Sequence, residues 1–181
     1  FFRYLSLMMI DALWTGWRSQ YLAGLVRQSA EDSPYEESVF TQILKANISD
    51  EDSFIVHRGE LVFVILNAFP YAVGHLLVLP YRQVNDLSSL STMESLELWG
   101  TVTRASEVLS AVYEPQGLNI GMNIGRSAGG SVTEHLHVHI VPRTVGDANF
   151  MAVTANAKTI SEPLNVTAQR IRQCWLDTTS P

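Results

Sequence analysis

Cysteine is nearly missing: Cys174 stands alone in 181 residues, so neither an intrachain disulfide nor a cysteine-built metal knuckle can form, which favours a reducing compartment. Basic residues are scarce as well. Twelve Lys and Arg against 18 Asp and Glu give a formal net charge of −6, leaving no cationic surplus to displace counterions from nucleic acid. A small anionic ligand stays open, because a few local donors suffice to bind a phosphate. Long hydrophobic runs are lacking too. The stretch from Phe1 to Ile10 is apolar but short, with only Arg3 as a basic residue and no small-x-small pattern after it. Neither a signal peptide nor a membrane span is expected, and the chain reads as cytoplasmic.

What is present suits a folded domain. With 46% hydrophobic and 17% charged residues, the chain is long enough for one substantial core and short for two. No internal repeat or low-complexity tract occurs. Leu13, Trp14, Trp17, Tyr21, Leu22 and Leu25 recur at helical spacing, predicting an amphipathic helix from Asp11 to Leu25 whose aromatic face needs a partner. Glu31 to Glu37, with Pro34, reads as a linker. Residues 1–37 are therefore expected as a helical extension with its linker, and 38–181 as the main domain.

From Phe54 the pattern turns to short strands. Phe54 to Arg58 and Leu61 to Leu66 flank Gly59-Glu60, which reads as a glycine-first two-residue hairpin turn. Gly74 to Pro80 makes a third strand. Ser91-Thr-Met-Glu94 is a capping box, opening a helix expected to reach Tyr113, before Pro115. Leu118 to Ile124 and Leu136 to Val141 are the last two strands, and Glu162 to Leu176 a C-terminal helix. A long helix between strands three and four, with hairpins around it, predicts an α+β fold with a five-stranded antiparallel sheet.

Three of the five histidines fall at His135, His137 and His139. On a strand these share one face, about 6.6 Å apart at a rise of about 3.3 Å per residue, while Leu136, Val138 and Ile140 face the core. Three readings compete. Packed or surface histidines are one, although packing rarely asks for three in alternation. A zinc site is the second, since His-x-His on a strand can chelate. No neighbouring Asp, Glu or Cys completes that shell, and Glu134 belongs to the opposite face. Nucleophilic catalysis is the third and strongest, because neutral imidazole attacks phosphorus near pH 7 without prior activation. Gly121 to Gly125 and Ser127-Ala-Gly-Gly-Ser131 precede the triplet and supply a glycine-rich turn, whose amides can approach phosphate closely. Asn123 and Ser131 add side-chain donors.

His135-Leu-His-Val-His-Ile-Val141 resembles the His-φ-His-φ-His-φ-φ signature of the histidine-triad nucleotide hydrolases and transferases. The segment Asn67-Ala-Phe-Pro-Tyr-Ala-Val-Gly-His-Leu-Leu-Val-Leu-Pro80 resembles that family's second landmark. Within the family the likeness is greatest to the actinobacterial diadenosine tetraphosphate phosphorylases, through Leu13-Trp-Thr, Ala128-Gly-Gly-Ser131 and Gly146-Asp-Ala-Asn-Phe150. The resemblance implies a nucleotide-binding catalytic domain in which His137 is the nucleophile on an α-phosphate, its other nitrogen oriented by the carbonyl of His135. It implies that His139 contacts the phosphate or leaving oxygen, supported by His75 and His135. Asn67 would serve the ribose, and Asn123, Gly129, Gly130 and Ser131 the phosphates, with adenine against Phe40 and Leu66. The acceptor would be inorganic phosphate, giving ATP and ADP from diadenosine tetraphosphate, or water in a hydrolase of the same fold, one acting on dinucleoside polyphosphates or nucleoside phosphoramidates. A non-catalytic nucleotide-binding partner protein is a third possibility. No cofactor is implied beyond Mg²⁺ as a substrate counterion, and neither nucleic acid nor membrane is implied as a partner. A homodimer with sheets joined edge to edge is implied, which the N-terminal helix could extend to a tetramer. His57 matches nothing catalytic and reads as a surface residue. Three departures stand out. Ser38-Val-Phe-Thr41 lies where some members carry zinc-binding cysteines, His139 is kept where others have glutamine, and Thr144 replaces a tryptophan.

Overall fold

A computed structural model describes residues 37–46, 48–147 and 160–177. The helix expected from Asp11 to Leu25 lies outside them, as do the linker up to Glu36 and Ala148 to Phe150. Among the described residues no helix is long and apolar enough to cross a membrane.

The described chain begins with two short helices, α1 (Val39–Lys45) and α2 (Asp50–Ser53). Ser38 and Ser49 cap them by accepting from the amides of Thr41 and Asp52, the usual relief for the orphan donors of a first turn. Asp50, Glu51 and Asp52 in the first turn of α2 add charge of the sign that helix start favours. Then follow β1 (Ile55–Arg58), β2 (Val62–Leu66), β3 (Leu76–Pro80), α3 (Thr92–Tyr113), β4 (Gly117–Gly121), β5 (Val138–Arg143) and α4 (Leu164–Asp177). The strands form one antiparallel sheet in the order β1-β2-β3-β5-β4, so the crossover through α3 leaves β5 between β3 and β4.

The sheet has two unlike faces. One is sealed by α3 and α4: Val62, Val64, Leu66, Leu76, Val78, Val138 and Ile140 pack against Leu98, Val102, Ala105, Leu109, Ile171 and Trp175. Helix α3 suits this role because Glu94, Leu98, Thr101, Val102, Ala105, Val108 and Leu109 are its buried residues, a stripe at i, i+4, i+7, i+8 and onward. Its capping box is formed as expected, with Ser91 and Glu94 satisfying each other's backbone amides. Arg82 clasps the Glu94 carboxylate and holds it at a pKa of about 2, through that hydrogen bond first and the Ser91 amide next. The other face carries Ile55, Phe63, Ile65, Leu77 and Leu79, covered only in part by Phe40 of α1. That incomplete cover leaves the cleft.

Several expectations need correcting. Strand β4 stops at Gly121, short of Ile124, and β5 runs from Val138 to Arg143 and not from Leu136 to Val141. The β3 pairing ends at Val78↔Val138, and the Leu136 amide donates to the Val84 carbonyl at 2.6 Å. His135, at a bend, and His137 thus precede the ladder, and only His139 is a ladder residue. The β1–β2 turn is also not glycine-first. Gly59 lacks the positive φ such a turn requires, and its amide bonds the Val62 carbonyl at 2.9 Å, so Glu60 and Leu61 are the central residues. A Cβ at Gly59 would lie 2.3 Å from the Glu97 carboxylate and displace it, and that carboxylate accepts from the amides of Leu61 and Val62. Finally, His57 is half-buried and not a plain surface residue. A register break between Ile55 and His57 shifts the alternation by one. His57 pairs with Val64 on the helix-covered face and stacks on Trp175, centroids 4.5 Å apart and rings 17° from parallel. Burial lowers its pKa.

Candidate active site

The histidines occupy the open face, where backbone carbonyls and amides assign a proton to each ring. A carbonyl can only accept. The Pro80 carbonyl lies 2.9 Å from His135 Nε2, so His135 carries its hydrogen there and Nδ1 accepts from the Ser38 hydroxyl at 2.7 Å. By the same logic His137 donates from Nδ1 to the carbonyl of His135 at 2.7 Å, placing its lone pair on Nε2. This is the arrangement a nucleophilic imidazole needs. His75 receives the Tyr71 amide on Nδ1 at 3.0 Å, with the Asn67 carboxamide 3.4 Å from the same atom. Its Nε2–H then donates to His139 Nδ1 at 2.9 Å, which places the His139 hydrogen on Nε2.

Burial sorts the four rings. His75 is fully buried and His135 is 1% exposed. His135 is held below the ordinary imidazole range first by that burial, then by its neighbour His137, with the Pro80 carbonyl acting in opposition. His137 and His139 line a cleft of about 410 Å³, which His75 and His135 do not. Of the expected catalytic set, then, two rings reach the cleft and two stand behind them. The ring of His135 bonds Ser38 and Pro80, while its carbonyl accepts from His137.

The cleft walls differ in character. Val39, Phe40 and Ile43 of α1, with Ile65, Leu66 and Leu77 of the sheet, make an apolar wall. Phe40 touches both His135 and His137, at centroid distances of 5.6 and 5.4 Å. Asn67, Asn123, Gly129, Gly130 and Ser131 also line the cleft, so every expected nucleotide-binding residue reaches it. Gly129 ends a turn of 3-10 helix, Arg126–Ala128, at φ 83, a left-handed conformation that costs glycine nothing. Among the described residues no group of three His, Cys, Asp or Glu converges as a metal site.

Tyr71 was missed by the sequence reading. Its ring lies 4.7 Å from His75 and 6.1 Å from His139, near-parallel to the latter, and it borders the cleft. The signal available was an aromatic residue between Asn67 and Gly74-His75. Ser38 and Thr41 were read only for the zinc they cannot bind, yet they meet His135 and Gln83.

Residues 49–146 match the HIT domain. The chain belongs to the HIT family. Across 167 residues, 92% of this chain and 85% of the other, it is 42% identical to the AP-4-A phosphorylase of Mycobacterium tuberculosis. It is 36% identical over 95 residues, 52% of each protein, to the asymmetrical bis(5'-nucleosyl)-tetraphosphatase of Schizosaccharomyces pombe. A histidine triad nucleotide-binding protein from Sulfolobus tokodaii superposes with a TM-score of 0.63 at 26% identity, covering 76% of this chain and 91% of that one. A zinc-bound histidine triad protein from Mycobacterium smegmatis shares the fold at a TM-score of 0.65 and 22% identity, over 80% and 96%. The five-stranded fold is therefore shared with HIT proteins of known structure.

Proposed function

We propose that this HIT protein is a nucleotidyltransferase that phosphorolyses dinucleoside polyphosphates, diadenosine tetraphosphate foremost. One observation carries the reading: His137 lines the cleft with Nδ1–H committed to a backbone carbonyl, which leaves Nε2 as the attacking atom. The identity to an AP-4-A phosphorylase over most of both chains supports the choice of substrate.

In this mechanism the adenine rests on Phe40 and Leu66, and Asn67 holds the ribose. Asn123, Ser131 and the amides of Gly129 and Gly130 receive the phosphates. His137 Nε2 forms a bond to the α-phosphorus as the bond to the bridging oxygen breaks, and ATP leaves. The positive charge that appears on the ring is held by the His135 carbonyl. His139, polarised by His75, donates to the oxygens on which negative charge develops. Inorganic phosphate then attacks the nucleotidyl-histidine, ADP forms, and His137 regains its lone pair. No step asks for a cofactor, and Mg²⁺ enters as the counterion of the polyphosphate. We place the enzyme in the cytoplasm as a homodimer joined along sheet edges, with the N-terminal segment available to build a tetramer.

Supplying the tetraphosphate with and without inorganic phosphate tests this. ADP plus ATP appearing only with phosphate supports phosphorolysis. AMP plus ATP formed equally well without phosphate would falsify it in favour of hydrolysis, the second reading, which the fission-yeast tetraphosphatase relative favours.

A further inference from the structure

Ser38 has no surface exposure and lies 97 positions before the imidazole it touches. Elimination settles the proton directions around it. His135 spends its only hydrogen on the Pro80 carbonyl, so the Ser38 hydroxyl must donate to Nδ1 at 2.7 Å. The Ser38 oxygen in turn accepts the Thr41 amide at 3.1 Å. The Thr41 hydroxyl donates to Gln83 Oε1 at 2.9 Å, and that oxygen also takes the Ser38 amide at 2.9 Å. The Ser38 and Thr41 hydroxyls also lie 3.1 Å apart, with the hydrogen of the first committed to the His135 ring and that of the second to Gln83. The peptide of His135 supplies the carbonyl that holds His137. Ser38 also caps α1, which brings Phe40 and Ile43 to the cleft.

We propose that Ser38 is a positioning residue for nucleotidyl transfer, locking the ring and peptide of His135 so that His137 keeps one tautomer and one orientation toward the cleft. The proposal rests on reading His137 as the nucleophile. The chemistry explains why the lock matters. In the other tautomer Nε2 would carry a hydrogen and present no lone pair to phosphorus, so every molecule in that state is inactive. Through Ser38 the apolar wall and the attacking imidazole become parts of one hydrogen-bonded unit, and a base seated on Phe40 presses on the element that aligns the nucleophile.

The test compares wild type with Ser38→Ala, Ser38→Thr and Ser38→Gly. Threonine keeps both the donor and the cap. Glycine keeps most of serine's preference for the helix start but has no hydroxyl for His135. Steady-state kinetics with diadenosine tetraphosphate and phosphate should show Ser38→Ala losing about tenfold or more in kcat with KM changed by no more than about twofold. Ser38→Gly should be as impaired as alanine despite its better helix start, and Ser38→Thr should return to within about threefold of wild type. Imidazole ¹⁵N shifts of the substrate-free protein give a second readout. His137 should be a single Nδ1–H tautomer in wild type and in Ser38→Thr, and averaged between tautomers in the other two variants. A glycine variant with wild-type kcat, or His137 nitrogen resonances identical in all four proteins, would overturn the proposal and leave Ser38 a helix cap only. If wild type does not act on the dinucleotide, the phosphorylase reading falls while the ¹⁵N comparison still decides the role of Ser38. If Ser38→Ala does not fold, glycine against threonine carries the same contrast.

Discussion

The two faces of the sheet each bear a histidine packed on an aromatic ring, yet only one face is equipped for chemistry. On the helix-covered face His57 stacks on Trp175; burial lowers its pKa, with Glu97 opposing that shift and Arg104 adding to it. On the open face His137 meets Phe40, with one nitrogen fixed by a carbonyl and the ring bordering a cleft. Imidazole and aromatic contact are common to both. The difference is the backbone acceptor that sets a tautomer and the empty volume in front of the ring.

The sharpest way to break this comparison is His137→Asn, which keeps a polar side chain near the His135 carbonyl but removes the attacking nitrogen. Turnover should fall by about three orders of magnitude or more while nucleotide binding persists. Rapid-quench trapping of labelled nucleotide on the protein checks it, and near-normal turnover in this variant would sink the covalent mechanism. Next come matched truncations on the two faces. Leu98→Ala, at a fully buried position beneath α3, should cost about 3 kcal/mol of stability and leave KM alone. Phe40→Ala should also destabilise, but its signature is a KM raised by about tenfold, because the apolar wall is lost. Denaturant melts alongside kinetics separate the two, and equal KM changes would erase the distinction between the faces.

Smaller effects follow from titration. Glu94 has its pKa lowered from 4.5 to about 2, so its contribution to stability is full above 4.5 and is lost as pH falls toward 2. Glu94→Gln keeps a side chain able to close the capping box but removes the charge paired with Arg82, so it should cost about 1 kcal/mol at pH 7 and flatten the acid limb of the stability curve between those values. Unfolding midpoints measured from pH 7 to 2 decide this. The smallest effect belongs to His57. Its folded pKa lies below 6.5, so the unfolded chain binds the extra proton and stability present above 6.5 declines as pH falls through the folded value. His135 acts with the same sign. His57→Phe should therefore remove only part of that slope and leave activity unchanged, which pH-dependent melts and product assays would show.

Much of the site was legible because its signals are local and periodic. The alternation through His135, His137 and His139 places them on one face, and the glycines at 129 and 130 next to Ser131 mark a turn that reaches the cleft. Ser91 and Glu94 announced α3 with its boundaries correct. Less visible was everything carried by partners distant in sequence. Helix α1 is only seven residues long, too short to advertise itself by periodicity, and its cap Ser38 acquires meaning only beside His135.

Residue pattern alone determined the α+β class, the succession of strands and helices along the chain and which histidines share a side, because hydrophobic periodicity and turn chemistry act within a few residues. Tertiary structure alone decided the rest. A register break moved His57 to the far side, the Val84 carbonyl drew Leu136 out of the ladder, and the acceptors Pro80 and His135 chose which nitrogen of each ring holds its proton. The physical reason is that a face, a register and a tautomer are each set by a hydrogen-bond partner, and those partners come from segments that only folding brings together.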